Sequence, residues 1–330
     1  MVAIVGAAAI SRQNPRILLV KTSSLGDVVH NLPVVSDLRR HFPDAQIDWL
    51  VEEGFAAIPA LHPGVNTVIP LAIRRWRKHL LTAATWKEIS ALRHSLKQTE
   101  YDIILDTQGL VKSALFARMG QGERHGYAAD SIREPLAARS YAHVHSVSKS
   151  LHAVERNRML AAASFGYVLD TACDYGIQAS PLSAGWLAAE ARYIVLLTAT
   201  SRDDKLWPET YWIALGTALA ARGLCCVLPA GSALERARAA RIASAIGGIA
   251  PPALDIPSLA HLMAGAACVI GVDTGLTHLA AALGRPTLAI FCATDPGLTG
   301  VHAAQPVINL GGIARMPTAD QVMQACADWL

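Results

Sequence analysis

Hydrophobic and polar positions along this chain follow a repeating order. A short leucine-rich or β-branched run gives way to a small polar turn, then to a stretch with apolar residues three and four apart. That order predicts strand, loop and helix in alternation, and therefore parallel βαβ units. The first unit begins with the run at 16–20, turns through Lys21 to Asp27, and continues into a helix on which Val28, Leu32, Val35 and Phe42 share a face, with Pro33 in its early turns. Runs at 45–53, 67–72 and 102–108 read as further strands, and 85–98, 109–119 and 148–165 as helices. From 166 to 185, Gly, Pro, Asp and Ser are scattered without periodicity, which marks a linker.

The alternation then restarts. A strand is expected over 193–201, a helix over 209–222, a strand over 224–228 and a helix opening near Gly231. The stretch 267–286 comes next, a strand running through a tight loop into an Ala/Leu-rich helix closed by Gly284 and Pro286. A strand over 287–293 and an amphipathic helix from about Thr318 complete the chain. The expected fold class is α/β, with two doubly wound Rossmann-like domains, residues 1–178 and 179–330, facing across a cleft. The last helix is a candidate to pack back on the first domain. Residues 1–10 are apolar with no basic residue ahead of them and no cleavage site after them, so they read as an extension before the first strand rather than a signal peptide.

Composition narrows the function classes. A chain of 330 residues accommodates two cores. No apolar run is long enough to span a bilayer, which points to a soluble or peripheral protein. None of the six cysteines forms a C-x-x-C pair and several lie in apolar runs, so neither disulfides nor zinc are expected. A net charge of +3 is too small for an electrostatic nucleic-acid binder unless it is concentrated. It is concentrated at 73–79, where Arg74, Arg75, Arg77 and Lys78 surround a tryptophan. Such a run is either a solvated basic loop or a grip for an anionic partner, since arginine forks suit carboxylate and phosphate. An acidic substrate or lipid head group fits it better than nucleic acid. His143 and His145 have metal-like proximity, but no nearby carboxylate cluster completes a site, and no metal is expected there.

Candidate chemistry gathers at the two strand–loop–helix junctions. Asp273, Thr274 and Gly275 stand where a helix start offers unpaired N–H groups and a partial positive charge, with His278 one turn later. Such a terminus binds phosphate, although Asp273 or Thr274 also suits an ordinary N-cap. Asp27 is either a capping carboxylate or a general base at the carboxyl end of a central strand, where open α/β sheets bind their ligands. A helix start favours the ionised carboxylate, the form that accepts a proton. Glu52 and Glu53 read as a solvated turn in preference to pocket acids. Glu235 is either a dipole complement or a ligand-binding carboxylate.

These motifs combine into a specific pattern. KTSSLGD at 21–27, DWLVEEGF at 48–55, IRRWRK at 73–78, DTQGLVKS at 106–113 and REPL at 133–136 belong to it. So do HAVER at 152–156, RDDK at 202–205 followed by Trp207 and Pro208, VDTGLTH at 272–278 and TDPGL at 294–298. From about Arg16 to the last helix the chain resembles the lipopolysaccharide heptosyltransferase branch of glycosyltransferase family 9, in particular its members that add the first heptose. The resemblance implies a glycosyltransferase B fold and an inverting enzyme that needs no metal. The implied reaction moves L-glycero-D-manno-heptose from ADP-heptose, a co-substrate, to the Kdo of Kdo2-lipid A.

By the same resemblance Asp27 is the general base and Lys205 supports the departing pyrophosphate. Ser24, Gly26, Thr200, Ser201, Lys205, Glu235, Asp273, Thr274, Gly275 and His278 fall on donor-binding positions, with Glu235 near the ribose. Arg74, Arg75, Arg77, Lys78 and Arg133 fall on the acceptor side, which suits an anionic acceptor. Ser201 stands where a threonine is common, Leu25 where a methionine is, and the residues before Pro15 have no counterpart. The implied setting is cytoplasmic, peripheral at the inner membrane of a Gram-negative bacterium through contact with anionic lipid, with no protein partner and no nucleic acid. Two alternatives stand beside it: a sister enzyme adding the second heptose, and a sugar-nucleotide binding module without catalysis. The presence of both Asp27 and Lys205 argues against the module.

Overall fold

The computed structural model describes residues 14–188 and 191–330, so the extension expected over 1–10 lies outside the described residues. The chain divides into two compact units between Gly176 and Ile177. In the first unit six parallel strands form one sheet: β1 (Arg16–Val20), β2 (Gln46–Glu52), β3 (Thr67–Leu71), β4 (Glu100–Asp106), β5 (Gln121–Tyr127) and β6 (His143–His145). Their order is β3-β2-β1-β4-β5-β6. Ile17, Leu18, Leu19 and Val20 are fully buried, as expected of a parallel strand covered by helices on both faces. The chain leaves β1 toward one edge through β2 and β3, then returns to β4 and builds the other edge. The carboxyl ends of β1 and β4 therefore flank the point where strand order reverses, the position at which such sheets hold ligands.

Several local expectations need correction. The helix after β1 is two helices, Leu25–Val29 and Leu32–His41. Pro33 lacks an N–H, and in a continuous helix its ring would clash with the carbonyl four residues earlier, so it takes an early position in a new helix instead. The helix expected over 148–165 is Ala153–Phe165, opened by His152, whose Nδ1 accepts from Val154 N at 3.2 Å. The basic stretch is not a loop: Ile73–Trp76 is helical and Trp76, 5% exposed, is part of the core with Leu18, Leu50 and Ile104. Glu52 is buried rather than solvated and accepts from Arg74 N at 3.1 Å.

The first unit also carries a buried ion pair. Arg158 and Asp37, each with a side chain 3% exposed, meet at 2.8 Å, and the Arg158 guanidinium further donates to Thr171 O at 2.9 Å. Helix Ala153–Phe165 is thereby fastened both to helix Leu32–His41 and to the irregular segment after it. Removing one partner of such a pair strands a buried charge. Asp37→Ala is expected to destabilise the first unit by about 3–5 kcal/mol, read as a lower urea midpoint beside the wild type. An unchanged midpoint would show that Thr171 and Glu155 alone satisfy the guanidinium.

Between Gly166 and Tyr193 no helix or strand forms among the described residues. Gly176 there adopts φ +65°, and a Cβ on it would run into the His62 ring and Ser36, so only glycine fits. The second unit is a five-stranded parallel sheet of β7 (Tyr193–Leu197), β8 (Cys225–Val227), β9 (Cys268–Val272), β10 (Thr287–Phe291) and β11 (Val307–Gly311), in the order β11-β10-β9-β7-β8. Here the order reverses between β7 and β9. Trp207 and Trp212 pack edge to face at 4.8 Å in its core. The last helix, Ala319–Ala325, packs against helix Glu209–Ala220 of the same unit, with Val322 and Cys326 fully buried in that core. All six cysteines are free. Among the described residues no helix is long and apolar enough to cross a membrane.

Candidate active site

In the first unit the turn after β1 delivers Asp27 to the third position of helix Leu25–Val29. Its Oδ2 accepts from Ser24 N at 2.7 Å and from Ser24 Oγ at 2.9 Å. The capping reading of Asp27 is thus realised, and it fixes the carboxylate in place without excluding the second reading. Asp27 lines a cavity of about 390 Å³ with Ser23, Ser24, Gln108, Leu110, Lys112, Arg133 and Glu134. The walls come from the segments that follow β1 and β4, with Arg133 and Glu134 added from the segment after β5.

A polar lattice beneath the cavity holds its floor. Gln108 Oε1 accepts from Thr22 N at 3.0 Å and Ser23 N at 3.1 Å, tying the β4 turn to the β1 turn. Asp106 is buried and fastens its own turn by accepting from Gln108 N at 2.8 Å and Tyr141 OH at 2.8 Å. Burial pushes the Asp106 carboxyl up, and these hydrogen bonds oppose the shift. Lys21 is buried as well, donating to Thr107 O at 2.9 Å. Desolvation pushes its ammonium down, while the charges of Asp27 and Asp106 pull it back up.

In the second unit the loop after β9 sets Asp273 and Thr274 ahead of helix Gly275–Ala282, with Thr274 as its N-cap. Lys205 Nζ donates to Asp273 Oδ2 at 2.7 Å, bringing together residues 68 apart in sequence. Thr294 Oγ1 donates to the same oxygen at 2.6 Å, and Thr200 Oγ1 donates to Asp273 O at 3.0 Å. His278 Nε2 lies 4.0 Å from Asp273 Oδ1. Asp273 is therefore neutralised and anchored, and the cation beside the helix start is aimed by it. Lys205 has two further N–H groups to offer an anion.

Other expected residues are placed differently. Glu235 completes a capping box: its Oε2 accepts from Ser232 N at 2.8 Å while its own N donates to Ser232 Oγ at 3.2 Å. It belongs to the start of helix Ala233–Ile246. Ser201 is exposed. Ser24 and Gly26 stand in the first unit beside Asp27. Arg133 lines the Asp27 cavity, whereas none of Arg74, Arg75, Arg77 and Lys78 does. Arg75 is committed to Glu53 at 3.1 Å and Glu88 at 2.9 Å, and hydrogen bonds to these carboxylates push its guanidinium up. The Arg74 guanidinium lies over the Phe55 ring at 4.9 Å, and Arg77 and Lys78 are exposed.

Thr294, Gln108 and Lys112 lie in motifs named from the sequence but received no site role there; each stands after the carboxyl end of a strand, β10 for Thr294 and β4 for the other two. A larger cavity in the second unit, about 560 Å³, has Arg315 as the one charged residue in its lining and offers no acid–base pair.

Comparison with known proteins bears on this arrangement. The family model described as glycosyltransferase family 9 (heptosyltransferase) matches residues 89–327. Lipopolysaccharide heptosyltransferase 1 of Pseudomonas aeruginosa is 45% identical over 314 residues, 94% of this chain and 87% of that protein. The structure of Escherichia coli heptosyltransferase WaaC with ADP superposes with a TM-score of 0.88 at 42% identity, covering 96% of this chain and 100% of that one. The structure of WaaC with ADP-2-deoxy-2-fluoro heptose gives 0.86 at 40% identity, covering 95% and 99%. Two parallel α/β sheets with polar clusters at both switch points, together with these likenesses, lead to one conclusion: the chain belongs to glycosyltransferase family 9, the heptosyltransferases, and has their glycosyltransferase B fold.

Proposed function

We propose that this heptosyltransferase moves L-glycero-D-manno-heptose from ADP-heptose to the Kdo of Kdo2-lipid A, with inversion and without a metal. The observation that carries this reading is the Asp27 cavity, where a fixed carboxylate sits beside the cations Lys112 and Arg133. A base flanked by cations suits a sugar acceptor that is itself a carboxylate. WaaC's complexes with ADP and with an ADP-heptose analogue support the donor.

In the reaction the acceptor hydroxyl oxygen attacks the anomeric carbon of the heptose while Asp27 takes the hydroxyl proton. The bond from that carbon to the β-phosphate oxygen breaks on the opposite face, and ADP leaves with the electron pair. The charge that develops on the pyrophosphate is met by Lys205 and by the N–H groups at the start of helix Gly275–Ala282. Asp273 acts through Lys205 by holding its ammonium in place. Ser24, Gly26, Thr200, Ser201, Thr274, His278 and Glu235 complete the donor side, and Ser24 also holds the Asp27 carboxylate. The exposed Arg74, Arg77 and Lys78 face anionic lipid at the cytoplasmic side of the inner membrane, while Arg75 braces their helix through Glu53 and Glu88.

The deciding experiment supplies purified protein with ADP-heptose and either heptose-free Kdo2-lipid A or an acceptor already carrying one heptose, with and without chelator, and measures ADP release. Release on the heptose-free acceptor, undiminished by chelator, is the expected result. Release confined to the acceptor bearing one heptose would move the assignment to addition of the second sugar. Dependence on a divalent ion would overturn metal-free transfer.

A further inference from the structure

At the edge of the first sheet, four side chains of two neighbouring strands share one face. Glu123 and His125 stand two apart on β5, His143 and His145 two apart on β6, and His125 is in register with His143. His143 Nε2 lies 3.2 Å from Glu123 Oε2, and His125 Nε2 lies 4.0 Å from the same oxygen. One ligand atom from each of Glu123, His125 and His143 falls within 4.8 Å of the other two. The carboxylate that the sequence lacked beside His143 and His145 is thus supplied by β5. The expectation of no metal site there rested on its absence, and that premise does not hold: strand pairing across twenty residues is invisible to local spacing.

The His125 imidazole is the informative member. Its side chain is 8% exposed, and its Nε2 is buried without a hydrogen-bond partner. Its Nδ1 lies 3.3 Å from His145 Nε2. A buried imidazole nitrogen left unsatisfied costs free energy, and nothing within the cluster reaches it. If Nδ1–H donates to His145, Nε2 carries a lone pair directed toward Glu123 and His143. Donors bound to zinc at about 2.1 Å in a tetrahedron lie about 3.4 Å apart, so small rotations of the exposed Glu123 and His143 side chains suffice to close the set.

We propose that Glu123, His125 and His143 bind a transition-metal dication of the zinc class, with His145 orienting His125 from behind. Two imidazoles and one carboxylate are donors of the right type for such an ion, and the hydrogen bond to His145 fixes the tautomer that presents Nε2. The ion ties the short edge strand β6 to β5. No ligand lines the Asp27 cavity, so the site is separate from the transfer chemistry.

The test uses untagged full-length protein stripped with chelator, titrated with Co²⁺ by visible absorption and with Zn²⁺ by calorimetry, and then examined by thermal unfolding. Expected are about one equivalent of either ion per chain and a rise in Tm on binding. His143→Ala and Glu123→Gln, both at exposed positions, are expected to keep the metal-free Tm of the wild type and to weaken binding at least tenfold. His145→Ala is expected to weaken it by about 10–100-fold, as other changes to a residue that orients a metal ligand do. Wild-type protein that shows no saturable Co²⁺ spectrum, or variants that bind as the wild type does, would overturn the site.

Discussion

Asp27→Asn is expected to lower kcat for heptosyl transfer by about 10²–10⁴, the usual contribution of a general base, with little change in donor affinity. The amide has the shape of the carboxylate, and its oxygen can still accept from Ser24 N, so the turn after β1 keeps its form. What is lost is the capacity to take the acceptor proton. Asp27→Ala should show the same loss of turnover plus about 1 kcal/mol of stability, because it also removes a helix cap. ADP release read beside calorimetric donor binding separates the two effects. An asparagine variant that retains most of its turnover would leave Asp27 as a cap alone and sink the base assignment.

Lys205→Ala is expected to reduce kcat by about 10²–10³, the scale of removing one preorganised contact to a developing charge, and to weaken ADP-heptose binding less than that. The structure gives the substitution a second cost. Asp273, its side chain 11% exposed, would lose its cation just where the pyrophosphate charge grows, and repulsion would add to lost attraction. Combining Lys205→Ala with Asp273→Asn removes the repulsion, so the double variant should recover part of the turnover that the single variant loses. A double variant that simply sums the two single losses would show that the pair does not act as a unit. A single variant with weakened donor binding and normal kcat would make Lys205 an anchor.

Much of this protein is legible from local pattern. Apolar runs such as those at 17–20 and 268–272, short and bounded by turn residues, read as strands buried on both faces, and the helical spacing after each predicts a parallel sheet. Polar residues at the ends of those runs then mark the two switch points, because backbone N–H groups at the adjoining helix start have no other partner. Asp27 and the 273–275 loop are found in this way. Local reading fails where the deciding neighbour is distant. Strand β5 escapes it because its residues, QGERHGY, are polar and glycine-rich, and its identity depends on pairing with β4. Pro33 is visible in the sequence, yet whether it kinks, starts or breaks a helix depends on how the residues on either side of it pack.

By itself the sequence determined the α/β class and pointed to two units and to candidate residues at the helix starts, since periodicity, helix starts and turn residues are local properties. The tertiary structure alone decided what each of those residues is bonded to. Only the packing of distant segments brings Lys205 to Asp273, commits Arg75 to Glu53 and Glu88, buries Glu52 and Trp76, and sets His143 beside Glu123 and His125. The physical reason is that charge and hydrogen bonding act over a few ångströms of space, and the distance along the chain between such partners carries no trace of it.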